Sequence, residues 1–260
     1  MIPYFDQPRL PLGLITIHAF GVLVAAAMLV GMRMVRRRAQ ADGLDPLLAD
    51  RLVTWILLGG FIGAHLVDRL IYFPAETLAR PVTLLRFWEG LSSFGGFLGA
   101  IVGAVLFFRR TASEQRWGYL DAVAYGFPFG WIFGRLGCFV AFDHPGAPTK
   151  FFLGQMYRDH VVRHNLGLEE ALYTMLIAAL FYLLGRRDRR RPGFYVGLLA
   201  IVYAPVRFLF DFLRIVDVRY GGLTPGQWGA LAVMGLGAFI LIRAHKKGEA
   251  DASPPADQRT

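Results

Sequence analysis

The chain has 260 residues, 55% of them hydrophobic and 18% charged, with a mean hydropathy of +0.43. A soluble domain carries about 25% charged residues, so this composition excludes an ordinary soluble enzyme and indicates an integral membrane protein. The net charge of +9 does not imply nucleic acid, because the basic residues stand in short runs beside apolar blocks, where they set topology and meet anionic membrane lipids.

The N-terminal MIPYFDQPRLPLG has no basic region or small-residue cleavage site, so the first apolar segment is expected to stay in the mature chain. Seven apolar segments of roughly membrane-crossing length follow. They are Ile15 to Met34, Leu52 to Phe73, Phe94 to Phe108, Tyr119 to Phe142, Leu168 to Leu184, Phe194 to Phe212 and Trp228 to Ile242. The third is short and glycine-rich; it either tilts little or begins in a re-entrant loop over Trp88 to Gly96. The pattern predicts an all-α, polytopic bundle of about seven transmembrane helices over residues 1–245. A polar tail, 246–260, is expected to be disordered.

Arginine clusters set the orientation. Arg33 and Arg36 to Arg38 follow the first segment, Arg109 and Arg110 the third, Arg186, Arg187, Arg189, Arg190 and Arg191 the fifth, and Arg243, Lys246 and Lys247 the last. All fall on one side if the N-terminus faces outward, which makes that side, and the tail, cytoplasmic. Glycines recur at helical spacing at Gly59 and Gly63, at Gly95, Gly99 and Gly103, and at Gly126, Gly130 and Gly134. Such ladders let membrane helices approach closely. Ser93, Gly95 and Gly96 stand at a helix start, where exposed amides suit a phosphate.

Several polar residues interrupt the apolar segments. Arg135 lies inside the fourth, at a cost of at least about 2.5 kcal/mol at bilayer depth, so it requires a partner or a ligand. Asp143 follows where that segment surfaces. Arg207 and Asp211 stand four residues apart and can pair on one helical face. His65, Asp68 and Arg69 share a flank near the end of the second segment and are expected to be wet. His18 enters the first segment as a candidate base. His160 and His164 have metal-ligand spacing without a third ligand, so neither metal nor cofactor is expected. Cys138 is the single cysteine, one turn after Arg135, and reads as packing. Two arginines from different helices in a dry cavity suit the phosphate of an anionic lipid.

The ordered motifs HAFGVLVA, GGFIGAHL, EGLSSFGGFLGA, GRLGCFVAFDHPG, GLEEALY, RFLFDFLRIVD and LTPGQW resemble the prolipoprotein diacylglyceryl transferase family from Ile15 to about Leu241. The resemblance implies a bacterial inner-membrane enzyme. Its members move the diacylglyceryl group of phosphatidylglycerol to the lipobox cysteine of prolipoproteins and release glycerol phosphate. By position it implies Arg135, Arg207, Asp143 and Asp211 as catalytic residues, with Arg135, Arg207 and Gly146 at the lipid substrate. Three positions depart from the family pattern: Phe94 stands in place of a histidine, Cys138 of an asparagine and Phe20 of a tyrosine. His18 is then the nearest base by sequence. The alternatives are a homologue that binds phosphatidylglycerol or lipoproteins without transfer, and a small anion transporter that uses Arg135 as a relay.

Overall fold

The computed structural model describes residues 1–12, 15–86, 90–111, 114–143, 145–186, 190–215 and 219–252. Seven long helices are present among them: α1 (Ala19–Ala41), α2 (Pro46–Val67), α4 (Ser93–Arg110), α5 (Arg116–Val140), α6 (Leu166–Gly185), α7 (Phe194–Phe210) and α8 (Pro225–Ala252). A short α3 (Pro74–Ala79) lies between α2 and α4. Six of the long helices are apolar and long enough to cross a membrane; α4 has 18 residues and packs along α2. The expected polytopic bundle is therefore present, with each segment falling largely on a helix.

The pairing of the helices follows from their glycines. A Cβ on Gly99 would lie 2.1 Å from the Gly59 carbonyl oxygen, and one on Gly63 would lie 2.5 Å from that of Gly95. Only glycine lets α2 and α4 meet backbone to backbone. Gly126 and Gly130 bring α5 against Val35 and Ala27 of α1 in the same way, and Gly197 meets Gly237 and Leu241 of α8. In the third ladder Gly134 has only Trp131 nearby, at 4.0 Å, so there the spacing does not mark an interface. Helix α5 touches α1, α2, α6 and α7 and forms the centre of the bundle.

The structure departs from an all-helical reading at one end. Ile15 to His18 does not open the first helix. It forms strand β2 (Ile15–His18), paired antiparallel with β1 (Arg9–Leu12), because its β-branched alternation suits a hairpin edge better than a helix. The loop after α5 folds into a small sheet of order β3 (Pro145–Pro148), β5 (Val162–Asn165), β4 (Gln155–Met156). The N-terminus ties to this sheet through Ile2, which exchanges backbone hydrogen bonds with Gly154 and Met156, each 2.9 Å long. Buried Asn165 fixes the sheet on the bundle. Its side chain caps α6 at the Leu168 amide (3.0 Å) and donates to Gln155 and to the Phe139 carbonyl.

At the arginine-rich end, Arg38 is buried rather than solvated. It makes two hydrogen bonds with Asp42, of 2.7 and 2.6 Å, and lies between the rings of Tyr125 and Tyr195. His65, Asp68 and Arg69 are also buried, against expectation, because the chain after α3 folds back over them. The Leu84 carbonyl lies 3.1 Å from His65 Nε2, and Gly90, at φ +68°, lies against the Asp68–Arg69 pair. Helix α8 continues to Ala252, into the tail expected to be disordered; residues 253–260 lie outside the described ones.

Candidate functional site

Arg135 projects from α5 and finds its acid partner on α6, not on its own helix. Its guanidinium forms an ion pair with Glu170 of α6, which is 1% exposed. Trp131, one turn earlier, donates its indole N–H to Glu170 Oε1 and Tyr203 Oη, each at 3.0 Å. The Tyr203 hydroxyl in turn donates to Glu170. Arg135 Nη1 also lies 3.7 Å from Cys138 Sγ, and its guanidinium carbon sits 5.6 Å above the Trp131 ring. A buried carboxylate thus receives a guanidinium, an indole and a phenol, which holds the arginine in one geometry. Sequence reasoning missed Glu170, Tyr203 and Trp131. The available signal was the unexplained acid in GLEEALY.

One turn after Tyr203 on α7 comes Arg207, paired with Asp211 as expected from their spacing. The structure adds partners to that pair. Arg214 Nη1 lies 3.8 Å from the same carboxylate, and the Thr224 hydroxyl donates to Asp211 Oδ2 at 2.8 Å. Thr224 and Gln227 form a reciprocal cap on α8: Thr224 N–H donates to Gln227 Oε1 (2.9 Å) and Gln227 N–H to Thr224 Oγ1 (3.1 Å). The LTPGQW motif is this cap. Gly226 leaves room for Asp211, since a Cβ there would lie 2.3 Å from Oδ2. Tyr203, bonded to Trp131 and Glu170, stands one turn before Arg207 on α7 and so links the Arg135 network to the helix that carries Arg207. Arg135 and Arg207 are thus each held in a fixed geometry by a buried carboxylate, Glu170 and Asp211, and two fixed guanidiniums suit the oxygens of a phosphodiester.

The other expected residues take different places. Gly146 lies in β3, bridged to the backbone of Arg214, and a Cβ on it would lie 2.8 Å from the His164 Cβ. It is a packing glycine at the edge of the site. His18 is exposed at the N-terminal cap of α1 and lines a cavity of about 740 Å³ with Gln7, Thr16, Phe20, Phe142 and Asp143. The Phe20 ring covers Gly137, two residues beyond Arg135; a Cβ there would meet it at 3.2 Å. The start of α4 differs from expectation. Its cap is Ser92, whose Oγ accepts from Gly95 N–H (3.3 Å) and whose carbonyl accepts from Gly96 N–H (2.9 Å). Those two amides are engaged within the helix, so they are not open to a phosphate. The side chains of Ser93 and Phe94 fall outside the described residues. His164 does not pair with His160 but has Nδ1 at 2.7 Å from Glu169.

The family model for prolipoprotein diacylglyceryl transferase matches residues 9–243. The chain belongs to that family. It is 33% identical over 255 residues to the phosphatidylglycerol–prolipoprotein diacylglyceryl transferase of Solidesulfovibrio magneticus, covering 93% of this chain and 95% of the relative. The enzymes of the same name from Nitratidesulfovibrio vulgaris and Tolumonas auensis are 30% and 29% identical. They are covered over 98% and 96% of their lengths, by 96% and 93% of this chain. The site described above lies wholly within the matched span.

Proposed function

We propose that this protein transfers the diacylglyceryl group of phosphatidylglycerol to the lipobox cysteine of prolipoproteins, in a bacterial inner membrane, with its N-terminus outside and its C-terminus in the cytoplasm. The observation that carries this reading is the pair of arginines on neighbouring helices. Arg135 and Arg207 are each fixed by a buried carboxylate, and Tyr203 of α7 joins the first pair through Glu170, an arrangement that suits one phosphodiester. The names of its relatives supply the matching reaction.

In this mechanism Arg135 and Arg207 hold the phosphate, oriented by Glu170 and Asp211, while Tyr203 links the two pairs. The peptide thiol enters through the cavity beside His18 and Asp143, and its proton passes to His18. The sulfur attacks the glyceryl carbon, a C–S bond forms, and the C–O bond to phosphate breaks. The electron pair leaves on glycerol phosphate, where fixed cations stabilise the developing charge.

The test is glycerol phosphate release by purified protein given phosphatidylglycerol and a lipobox peptide. Arg135→Ala and Arg207→Ala each reduce turnover by about 10²-fold or more, and lysine at either position recovers little because the bidentate geometry is lost. His18→Gln slows the reaction by about 10²- to 10⁴-fold near neutrality and by less at higher pH. Cys138→Ser leaves turnover intact, since the attacking thiol belongs to the peptide. Phosphatidylglycerol bound without any release would overturn the assignment.

A further inference from the structure

A second basic site lies at the opposite end of the bundle, where neither the proposed reaction nor the family match assigns a role. Leu47, Asp50, Arg51, Thr54 and Trp55, on the first turns of α2, line a groove of about 280 Å³. Arginines near the C-terminal ends of two other helices contact its lining residues. Arg110, the last residue of α4, places its guanidinium carbon 5.0 Å above the Trp55 ring. Arg36 of α1 reaches Asp50 at 3.5 Å. Three guanidiniums, those of Arg36, Arg51 and Arg110, therefore lie at or beside a groove that carries one carboxylate, Asp50.

The position along α2 identifies the occupant. Trp55 lies nine residues after the first residue of the helix, about 14 Å along its axis, at the depth where an indole marks the membrane interface. Beyond it the same helical face continues as Leu58, Phe61 and Ile62, at 58, 47 and 49% exposure, toward the hydrocarbon. An anionic headgroup seated among the arginines has an apolar track for its acyl chains. A free phosphate would use the charges but leave that track empty. We infer that this groove binds an anionic phospholipid by its phosphodiester headgroup at the arginine-rich face, separately from the Arg135–Arg207 site.

The experiment is native mass spectrometry of the full chain released from nanodiscs containing phosphatidylglycerol and phosphatidylcholine. Two variants are compared with the wild type. Arg51→Gln with Arg110→Gln removes the charge, and Thr54→Trp fills the groove while keeping every charge. The wild type is expected to retain one more phosphatidylglycerol than either variant. Two surface arginines contribute about a thirtyfold change in affinity, and the difference shrinks at high salt. Glycerol phosphate, which has no acyl chains, is expected not to occupy the groove. The same lipid count in the wild type and Thr54→Trp would overturn the proposal. So would retention of phosphatidylcholine equal to that of phosphatidylglycerol, or glycerol phosphate binding that Thr54→Trp abolishes.

Discussion

At the scale of single residues, the buried carboxylates determine what the arginines can do. Glu170 neutralises Arg135 and collects two further donors, so the pair is tightly held but has little charge to spare. Glu170→Gln keeps an acceptor for Trp131 and Tyr203 while removing the negative charge. Breaking a buried ion pair by losing one partner costs about 3–5 kcal/mol. The variant should therefore melt earlier than the wild type without lipid. Phosphatidylglycerol then supplies the missing counter-charge, so its stabilising effect should be larger in Glu170→Gln than in the wild type. A thermal shift series with lipid titration checks this; equal lipid shifts in both proteins would leave Glu170 as a structural partner alone. Turnover should fall even with lipid saturating, because Arg135 loses its orienting contact. Arg135 was legible in the sequence from the cost of a charge in an apolar segment. Glu170 was not, because periodicity relates residues within a helix and says nothing about which acid a different helix presents.

At the scale of elements, close approach and capping fix the bundle. The α2–α4 interface has no space for a methyl group at Gly99, where the obstacle is backbone rather than a movable side chain. Gly99→Ala should separate the two helices and cost about 1–3 kcal/mol by overpacking. Gly229→Ala, with nothing within 4 Å of the added carbon, should be neutral or slightly stabilising through helix propensity. Unfolding midpoints in a common detergent discriminate the two. The N-terminus of α7 shows the same dependence on a partner helix. Gly193 carries no side chain to cap it, and Asp121 of α5 accepts from the Gly193 and Val196 amides at 2.6 and 2.9 Å. All seven long helices were readable as apolar segments, and the ladders at Gly59, Gly63, Gly95 and Gly99 as an interface. The β1–β2 hairpin and the three-stranded sheet were not. Their strands are four residues or fewer, and Ile15 to His18 merges into the apolar segment that follows.

At the scale of the molecule, the two ends of the bundle differ in construction. One end carries the arginine clusters, and the other carries the sheet, the hairpin and the large cavity. Reporter fusions after Arg38, Arg110, Arg191 and Lys247 are expected to read as cytoplasmic, and fusions within 147–167 as external. One cluster found outside would overturn the orientation. The same asymmetry separates the pH dependence of the chemistry from that of the fold. An unperturbed thiol has a pKa of about 8.5, so turnover with a lipobox peptide should rise from pH 6 to 9 as thiolate accumulates. Destabilisation of the sheet end would counterfeit a pH effect, and Tyr157 contributes to it only at high pH. Burial pushes its phenol up to about 12, assisted by Asp143 and Glu169 and opposed by Arg163. Its folded pKa is thus above the unfolded value of about 10. Below about pH 10 both states hold the proton, and its contribution to stability is complete. Between about 10 and 12 the unfolded chain alone releases the proton, so stability falls as pH rises. The rate window from 6 to 9 lies below that loss, so a rise there reports the proton-transfer chemistry rather than the loss of Tyr157's contribution to the fold. Tyr157→Phe should leave the pH 6–9 rate profile unchanged and reduce the late phenolate absorbance by one tyrosine's share. A rate independent of pH across the window would show that thiol deprotonation does not limit transfer.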